Sequence, residues 1–281
     1  MQTVLLNNGV EMPILGYGVF QVSPDECERC VTNAIEVGYR LIDTAQAYMN
    51  EEGVGRAWRK SGIDRKEFFL VTKVWVSNAG EERAYASILD SLRKLDTDYI
   101  DLLLIHQPYG DYYGTWRAME RALAEGKVRA IGVSNFSVAQ YLDLVLNAEA
   151  RPAVNQVETN VFSQQLELAE VMEPYGTKIM AWGPLNEGNE GIFTNELLAN
   201  IGDSKGKTVA QVALRYLIDR GIVAIPKSDK KHRMEENFNI FDFQLTDAHR
   251  DALAELNRHD TGTVRFSSPE FIRFITKYRL S

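Results

Sequence analysis

Cysteine is scarce in this chain, with two among 281 residues, Cys27 and Cys30, three apart in what reads as an amphipathic helix. A CxxC pair raises the question of metal or redox work, but no second CxxC and no nearby histidine accompany it, so the two thiols read as packing residues. Long hydrophobic runs are missing, and no apolar stretch reaches the length that spans a bilayer. The start, Met1 to Gly9, lacks the basic opening and apolar core of a secretion signal, which places the expected location in the cytoplasm. Blocks of one charge sign are also missing. With 31 basic against 39 acidic residues and a net charge of -8, neither nucleic acid nor an anionic membrane is the expected main partner. Low-complexity segments and breaks in composition are absent, so residues 1–281 are expected to form one domain.

What is present is a repeating alternation. The 45% hydrophobic content fills a large core, and the length suits a single α/β barrel. Asn8-Gly9 between short apolar runs marks an N-terminal β-hairpin. Apolar runs near 15–18, 40–43, 68–73, 99–105, 129–134, 153–158, 178–182 and 222–226, each followed by a helical pattern, predict a (β/α)₈ TIM barrel. Ser23-Pro24-Asp25-Glu26 and Thr208 with Gln211 have the chemistry of helix starts, each with the pieces of a capping box. After Thr208, the residues Val209, Val212, Ala213, Tyr216 and Leu217 share one face, and Gly221 is the stop. Three stretches, 106–114, 183–206 and 257–281, read as long and irregular, and long loops in a compact domain are usually functional.

Four ionisable residues stand where apolar runs end: Asp43, Tyr48, Lys73 and His106. In a parallel barrel the carboxyl ends of the strands build the active site, so these positions point to an enzyme. A phenol with a pKa near ~10 needs a neighbouring cation to release its proton near neutrality, and Lys73 supplies one. Asp43 neutralises and orients that lysine, which is costly to bury without a partner. His106 donates to a carbonyl oxygen. The set amounts to a general acid with an oxyanion-type site. Any one of these residues alone reads more readily as a structural or solvated group; their joint placement carries the functional reading. None can deliver a hydride, so a carbonyl reductase built on them requires a nicotinamide cofactor. The two-domain dinucleotide fingerprint is missing, since Gly16-Tyr17-Gly18 runs into Val19, Phe20 and Gln21. Two other readings stay in view. Lys73 could act as a Schiff-base nucleophile, which Asp43 opposes by holding the amine charged, and the barrel could serve as a cofactor-binding sensor, which has no need of all four residues. A metal hydrolase is not expected, because no set of ligands gathers at one mouth.

Asp43-Thr44-Ala45 with Tyr48 and Asn50-Glu51, Thr72-Lys73, His106, Gly132-Val133-Ser134-Asn135-Phe136, Asn155-Gln156, Trp182-Gly183-Pro184-Leu185, and Ile225-Pro226-Lys227-Ser228 followed by Arg233 and Glu236-Asn237 form a specific series. On that series the chain resembles the aldo-keto reductases along essentially its whole length, most of all the bacterial branch typified by 2,5-diketo-gluconate reductase. The resemblance implies an NADPH-dependent reductase of aldehydes and ketones, monomeric and without metal, in which Tyr48 donates the proton, Asp43 and Lys73 tune it, and His106 orients the carbonyl. It implies that Ser134, Asn135 and Gln156 hold the carboxamide while Trp182 stacks on the nicotinamide ring. Gly183, Pro184 and Leu185 would begin a loop over the pyrophosphate, and Glu236 and Asn237 complete the cofactor set. Lys227, Ser228 and Arg233 have the chemistry that a 2′-phosphate requires, which favours NADPH. Asp229 would repel that phosphate and keeps NADH as a weaker alternative. Phe20, Trp75 and His106 are expected to contact the substrate, with Tyr109 and Tyr113 beside them by loop position. Gln107 stands where the family commonly carries tryptophan, and Thr159-Asn160-Val161 where many relatives carry histidine and proline.

Overall fold

The computed structural model describes residues 2–258 and 268–280. Its strands are β1 (Thr3–Leu5), β2 (Glu11–Pro13), β3 (Gly16–Gly18), β4 (Leu41–Asp43), β5 (Phe69–Val74), β6 (Ile100–Ile105), β7 (Val128–Ser134), β8 (Val154–Glu158), β9 (Lys178–Trp182) and β10 (Val223–Ala224). Strands β1 and β2 pair antiparallel as the expected hairpin, and β3 to β10 run parallel, each beside its predecessor in sequence. The ring closes through a parallel bridge between Leu15 and Ala224. The helices are α1 (Pro24–Val37), α2 (Glu51–Lys60), α3 (Glu81–Leu95), α4 (Tyr112–Ala124), α5 (Val138–Asn147), α6 (Leu166–Met172), α7 (Glu196–Lys205), α8 (Val209–Asp219), α9 (Lys231–Phe238), α10 (Asp247–Ala254) and α11 (Pro269–Lys277). No described helix is long and apolar enough to cross a membrane.

Side chains alternate across a strand, so a barrel strand feeds two cores at once. Phe69 and Val71 of β5 enter the barrel interior with Leu41, Leu102, Leu104 and Val154, while Leu70 and Val74 pack outward with the helices. Leu6 and Met12 of the hairpin join the interior cluster and stop the amino-terminal end of the barrel. At the other end the inward files of three neighbouring strands finish in a polar residue: Leu41 leads to Asp43, Phe69 and Val71 to Lys73, Leu102 and Leu104 to His106. The carboxyl-terminal mouth is therefore polar because the pleat continues after the apolar residues run out.

Local signals are met unevenly. Thr208 and Gln211 form a reciprocal capping box, and Gly221 takes the left-handed conformation just past α8. Ser137 and Gln140 build a second box that the sequence reading did not single out. Ser23 makes no side-chain cap, Glu26 pairs with Arg29 and does not complete a box, and Pro24 starts α1. Cys27 and Cys30 are free and buried, and burial pushes the Cys27 thiol up to about 12, as suits a packing role. Two stretches expected to be irregular contain helix: α7 lies within 183–206 and α11 within the tail. The first is capped by Asn195, which accepts from Leu198 N, and the second by Ser268, which accepts from Phe271 N.

Candidate active site

Asp43 and Lys73 stand on neighbouring strands, with Asp43 of β4 in register with Val71 of β5. Lys73 Nζ lies 2.6 Å from Asp43 Oδ1, donates to the Thr44 carbonyl at 2.8 Å and reaches the Tyr48 hydroxyl at 3.4 Å. The ammonium is fully buried, so desolvation lowers its pKa while Asp43 opposes the shift. Burial likewise raises Asp43, against the pull of Lys73 and of Gln156. Gln156 Nε2 donates to Asp43 Oδ2 at 2.8 Å, so both carboxylate oxygens are engaged. All of Lys73's directed contacts are acceptors around an ammonium, the opposite of the free amine that a Schiff-base nucleophile requires.

Tyr48 closes a short 3₁₀ turn, Gln46–Tyr48, that places its ring over the Lys73 ammonium, 4.9 Å from the ring centre. Burial, then the Asp43 charge, raise the phenol well above its ordinary value, so Tyr48 is protonated across the physiological range. His106 follows β6, and its ring meets Tyr48 edge-on at 5.5 Å. Burial and the Lys73 charge hold His106 well below the usual histidine range, so the imidazole is neutral. Its Nδ1 is buried without a hydrogen-bond partner among the described residues.

Asp43, Tyr48 and His106 line the floor of a cleft of about 1070 Å³, with Lys73 buried behind them. The residues expected to hold a cofactor, Ser134, Asn135, Gln156, Trp182, Gly183, Pro184, Leu185, Lys227, Ser228, Arg233, Glu236 and Asn237, all line it. Asn135 adopts φ 61°, a left-handed conformation that asparagine tolerates. From there Asn135 Nδ2 donates to the His106 carbonyl at 3.2 Å, and its Oδ1 accepts the Trp182 indole N–H at 2.9 Å. The indole N–H is thus tied through Asn135 to the backbone of His106. At the far end, Lys227 and Arg233 are exposed and neither enters an ion pair among the described residues, while Asp229 lines the cleft beside them. Trp75 and Phe20 wall the near end, with ring centres 5.0 Å from His106 and 5.1 Å from Tyr48.

Tyr109 and Tyr113 lie outside the cleft lining. Gly110, at φ 76°, turns the chain after Tyr109, and Tyr113 faces α5, where its hydroxyl donates to the Asp143 carbonyl. Aromatic residues from the tail stand in the cleft instead: Phe271, Phe274 and Tyr278. Trp75 Nε1 donates to the Tyr278 carbonyl at 3.3 Å, and the two rings meet edge-on at 5.6 Å. The signal for this wall was present as Ser268-Pro269, a helix start, followed by apolar residues at helical spacing.

The model of the Aldo/keto reductase family matches residues 14–258. Glyoxal reductase of Bacillus subtilis (strain 168) is 46% identical over 260 residues, covering 92% of this chain and 94% of that protein. Methylglyoxal reductase DkgA of Escherichia coli (strain K12) is 39% identical over 262 residues, covering 92% of this chain and 94% of its own. An aldo-keto reductase of Bombyx mori, solved in complex with NADP, superposes with a TM-score of 0.87 at 35% identity, covering 96% of this chain and 95% of that one. With its parallel barrel, its N-terminal hairpin and this likeness along nearly its whole length, the chain belongs to the aldo/keto reductase family, in the bacterial branch represented by glyoxal reductase and methylglyoxal reductase DkgA.

Proposed function

We propose that this protein is a monomeric, single-domain, cytoplasmic reductase that converts aldehydes and ketones to alcohols with NADPH, Tyr48 giving the proton. One observation carries this reading: a protonated phenol and a neutral imidazole converge on the cleft floor, with a buried ammonium directly behind the phenol. NADPH, when bound, supplies the hydride to the carbonyl carbon. His106 donates from Nε2 to the carbonyl oxygen, since its Nδ1 has no partner and a buried lone pair is left unpaired more cheaply than a buried N–H. As charge develops on that oxygen, the Tyr48 hydroxyl delivers its proton there. The tyrosinate left behind faces the Lys73 ammonium, which Asp43 holds in place.

The far end of the cleft fits the cofactor by its charge. Lys227 and Arg233, with the Ser228 backbone pinned by the Tyr17 hydroxyl, offer two uncompensated cations to a phosphomonoester. Asp229 weakens that preference, and its charge is felt by Arg29 of α1. Trp182 presents a fixed indole to the nicotinamide ring. Aromatic aldehydes suit the walls formed by Phe20, Trp75 and Tyr278, and the names of the relatives add short 2-oxoaldehydes to the expected range.

The test is oxidation of NADPH, and of NADH beside it, with aromatic aldehydes, methylglyoxal and keto-sugars, for the native protein and for Tyr48→Phe. Removing a general acid costs about 10²–10⁴ in kcat, and cofactor binding should be unchanged in the variant. Tight NADPH binding without turnover of any carbonyl would replace the reductase reading with that of a cofactor sensor.

A further inference from the structure

Glu51 belongs to the motif behind the family resemblance, yet the reaction as described gives it no part. Its side chain is 2% exposed, and among the described residues no cation lies within ion-pair distance of it. A carboxylate in such a place needs donors, and Thr72 supplies one, its Oγ1 donating to Glu51 Oε1 at 2.7 Å. On the same outer side of the wall Ser91 Oγ accepts from Gln46 Nε2 at 3.1 Å. Burial raises the carboxyl above its usual range while the Thr72 bond and its place in the first turn of α2 favour the charge, and because Glu51 opens α2 directly after the turn that carries Tyr48, the same bond ties that turn to β5.

The partners at the ends of this network are the supports of the reacting groups. Thr72 precedes Lys73 on β5 and points outward while Lys73 points in. Gln46 opens the turn that carries Tyr48, and its Oε1 accepts the Trp75 backbone N–H and the Asn78 amide, both at 2.9 Å. We propose that Glu51 is a positioning residue for proton transfer, one carboxylate that registers the Tyr48 turn against the Lys73 strand from the outer side of the barrel wall. Lys94 and Asp90 of α3 and Lys73 of β5 are the charges that act on Glu51, and Asp43 and Glu51 are the anions that act on Lys73.

The inference rests on the reductase reading for its rates, and an optical-free structural readout separates the two. Glu51→Gln sets an amide against the Thr72 donor and removes the carboxylate behind Lys73. Thr72→Val cuts only the bond to Glu51. The enzyme, uniformly labelled at tyrosine Cζ with ¹³C, is followed by NMR with Tyr48→Phe to identify the Tyr48 signal, and kcat, KM and the pH profile are measured in parallel. In Glu51→Gln the Tyr48 resonance should move, kcat should fall about ten- to a hundredfold as for a small misplacement of a reacting group, and KM for NADPH should hold. The alkaline limb of kcat/KM should move to lower pH, because Lys73 loses an anion that favours its charged form. Thr72→Val should move the resonance and lower kcat with the limb in place, and it decides the matter if Glu51→Gln does not fold. An unmoved Tyr48 signal with native kcat and pH profile, whatever the melting temperature, overturns the inference. If the native enzyme turns over no carbonyl, the reductase reading falls and the Tyr48 resonance alone decides whether Glu51 positions the phenol.

Discussion

Replacing Lys73 by methionine should unfold the balance of the barrel mouth in a measurable way. Lys73 is fully buried and Asp43 is 2% exposed, so the variant leaves a carboxylate in the interior with Gln156 Nε2 as its remaining side-chain donor. Breaking a buried pair on one side costs about 3–5 kcal/mol. At roughly 2 °C per kcal/mol for a chain of this size, the melting temperature should fall by about 6–10 °C at neutral pH. The deficit has a pH signature. Burial already raises Asp43 above its ordinary value, and without the ammonium it rises further. The folded variant then binds more protons than the unfolded chain between the ordinary aspartate value and the raised one, so its stability increases as the pH falls through that window. The gap to the native protein should narrow on acidification. Asp43→Asn combined with Lys73→Met removes both charges while keeping an acceptor for Gln156, and should return to within about 2 kcal/mol of the native protein with turnover still lost. Melting curves at several pH values for the native protein, the single variant and the double variant test this. A single variant as stable as the double one at neutral pH would refute the claim that the ammonium is what makes the buried carboxylate tolerable.

His106 is held neutral by burial and by the Lys73 charge, so reductase kcat/KM should stay level as the pH falls through the ordinary histidine value of about 6.5; a decline centred there would show that the imidazole takes up a proton and that the neutral donor is misassigned. Arg233→Ala should weaken NADPH binding about tenfold, leave NADH within about twofold, and lose most of its effect in high salt, all readable from quenching of protein fluorescence on titration; equal weakening of both cofactors would place the arginine elsewhere than at a 2′-phosphate.

The barrel and the gathering of Asp43, Lys73 and His106 at its mouth were legible because both follow from a period of two. Leu41 before Asp43, Val71 before Lys73, and Leu104 before His106 put each ionisable group on the inward face one step above an apolar residue, and the registry of β4 with β5 makes the first two neighbours. Past the last strand residue that rule lapses. Tyr109 and Tyr113 were expected at the mouth by nearness in sequence, but the left-handed Gly110 and the start of α4 at Tyr112 carry the chain outward. Phe271, Phe274 and Tyr278 were overlooked for the opposite reason: Ser268-Pro269 announces a helix but not where it docks, and the contact of Tyr278 with Trp75 joins distant parts of the chain. Asn135 was legible as a residue of the barrel mouth but not as a brace, because its two hydrogen bonds, to Trp182 at the end of β9 and to His106 after β6, exist only once β6 to β9 are assembled.

The ring of strands is uneven in strength. β5 and β6 share a ladder over Val71 to Val74, whereas the first and last barrel strands meet through the Leu15–Ala224 bridge, the Ala224 amide on the Ile14 carbonyl and the Gly18 amide on the Pro226 carbonyl. Gly18, Ile225 and Pro226 from either side of this seam also line the cleft. A molecule lying there works as a clasp on the hoop: it touches the earliest and the latest staves together, and so its binding energy is delivered to the joint whose closure costs the chain the most configurational freedom. The barrel is thereby built so that occupancy and circumference are one property, and a filled cleft is also a tighter ring.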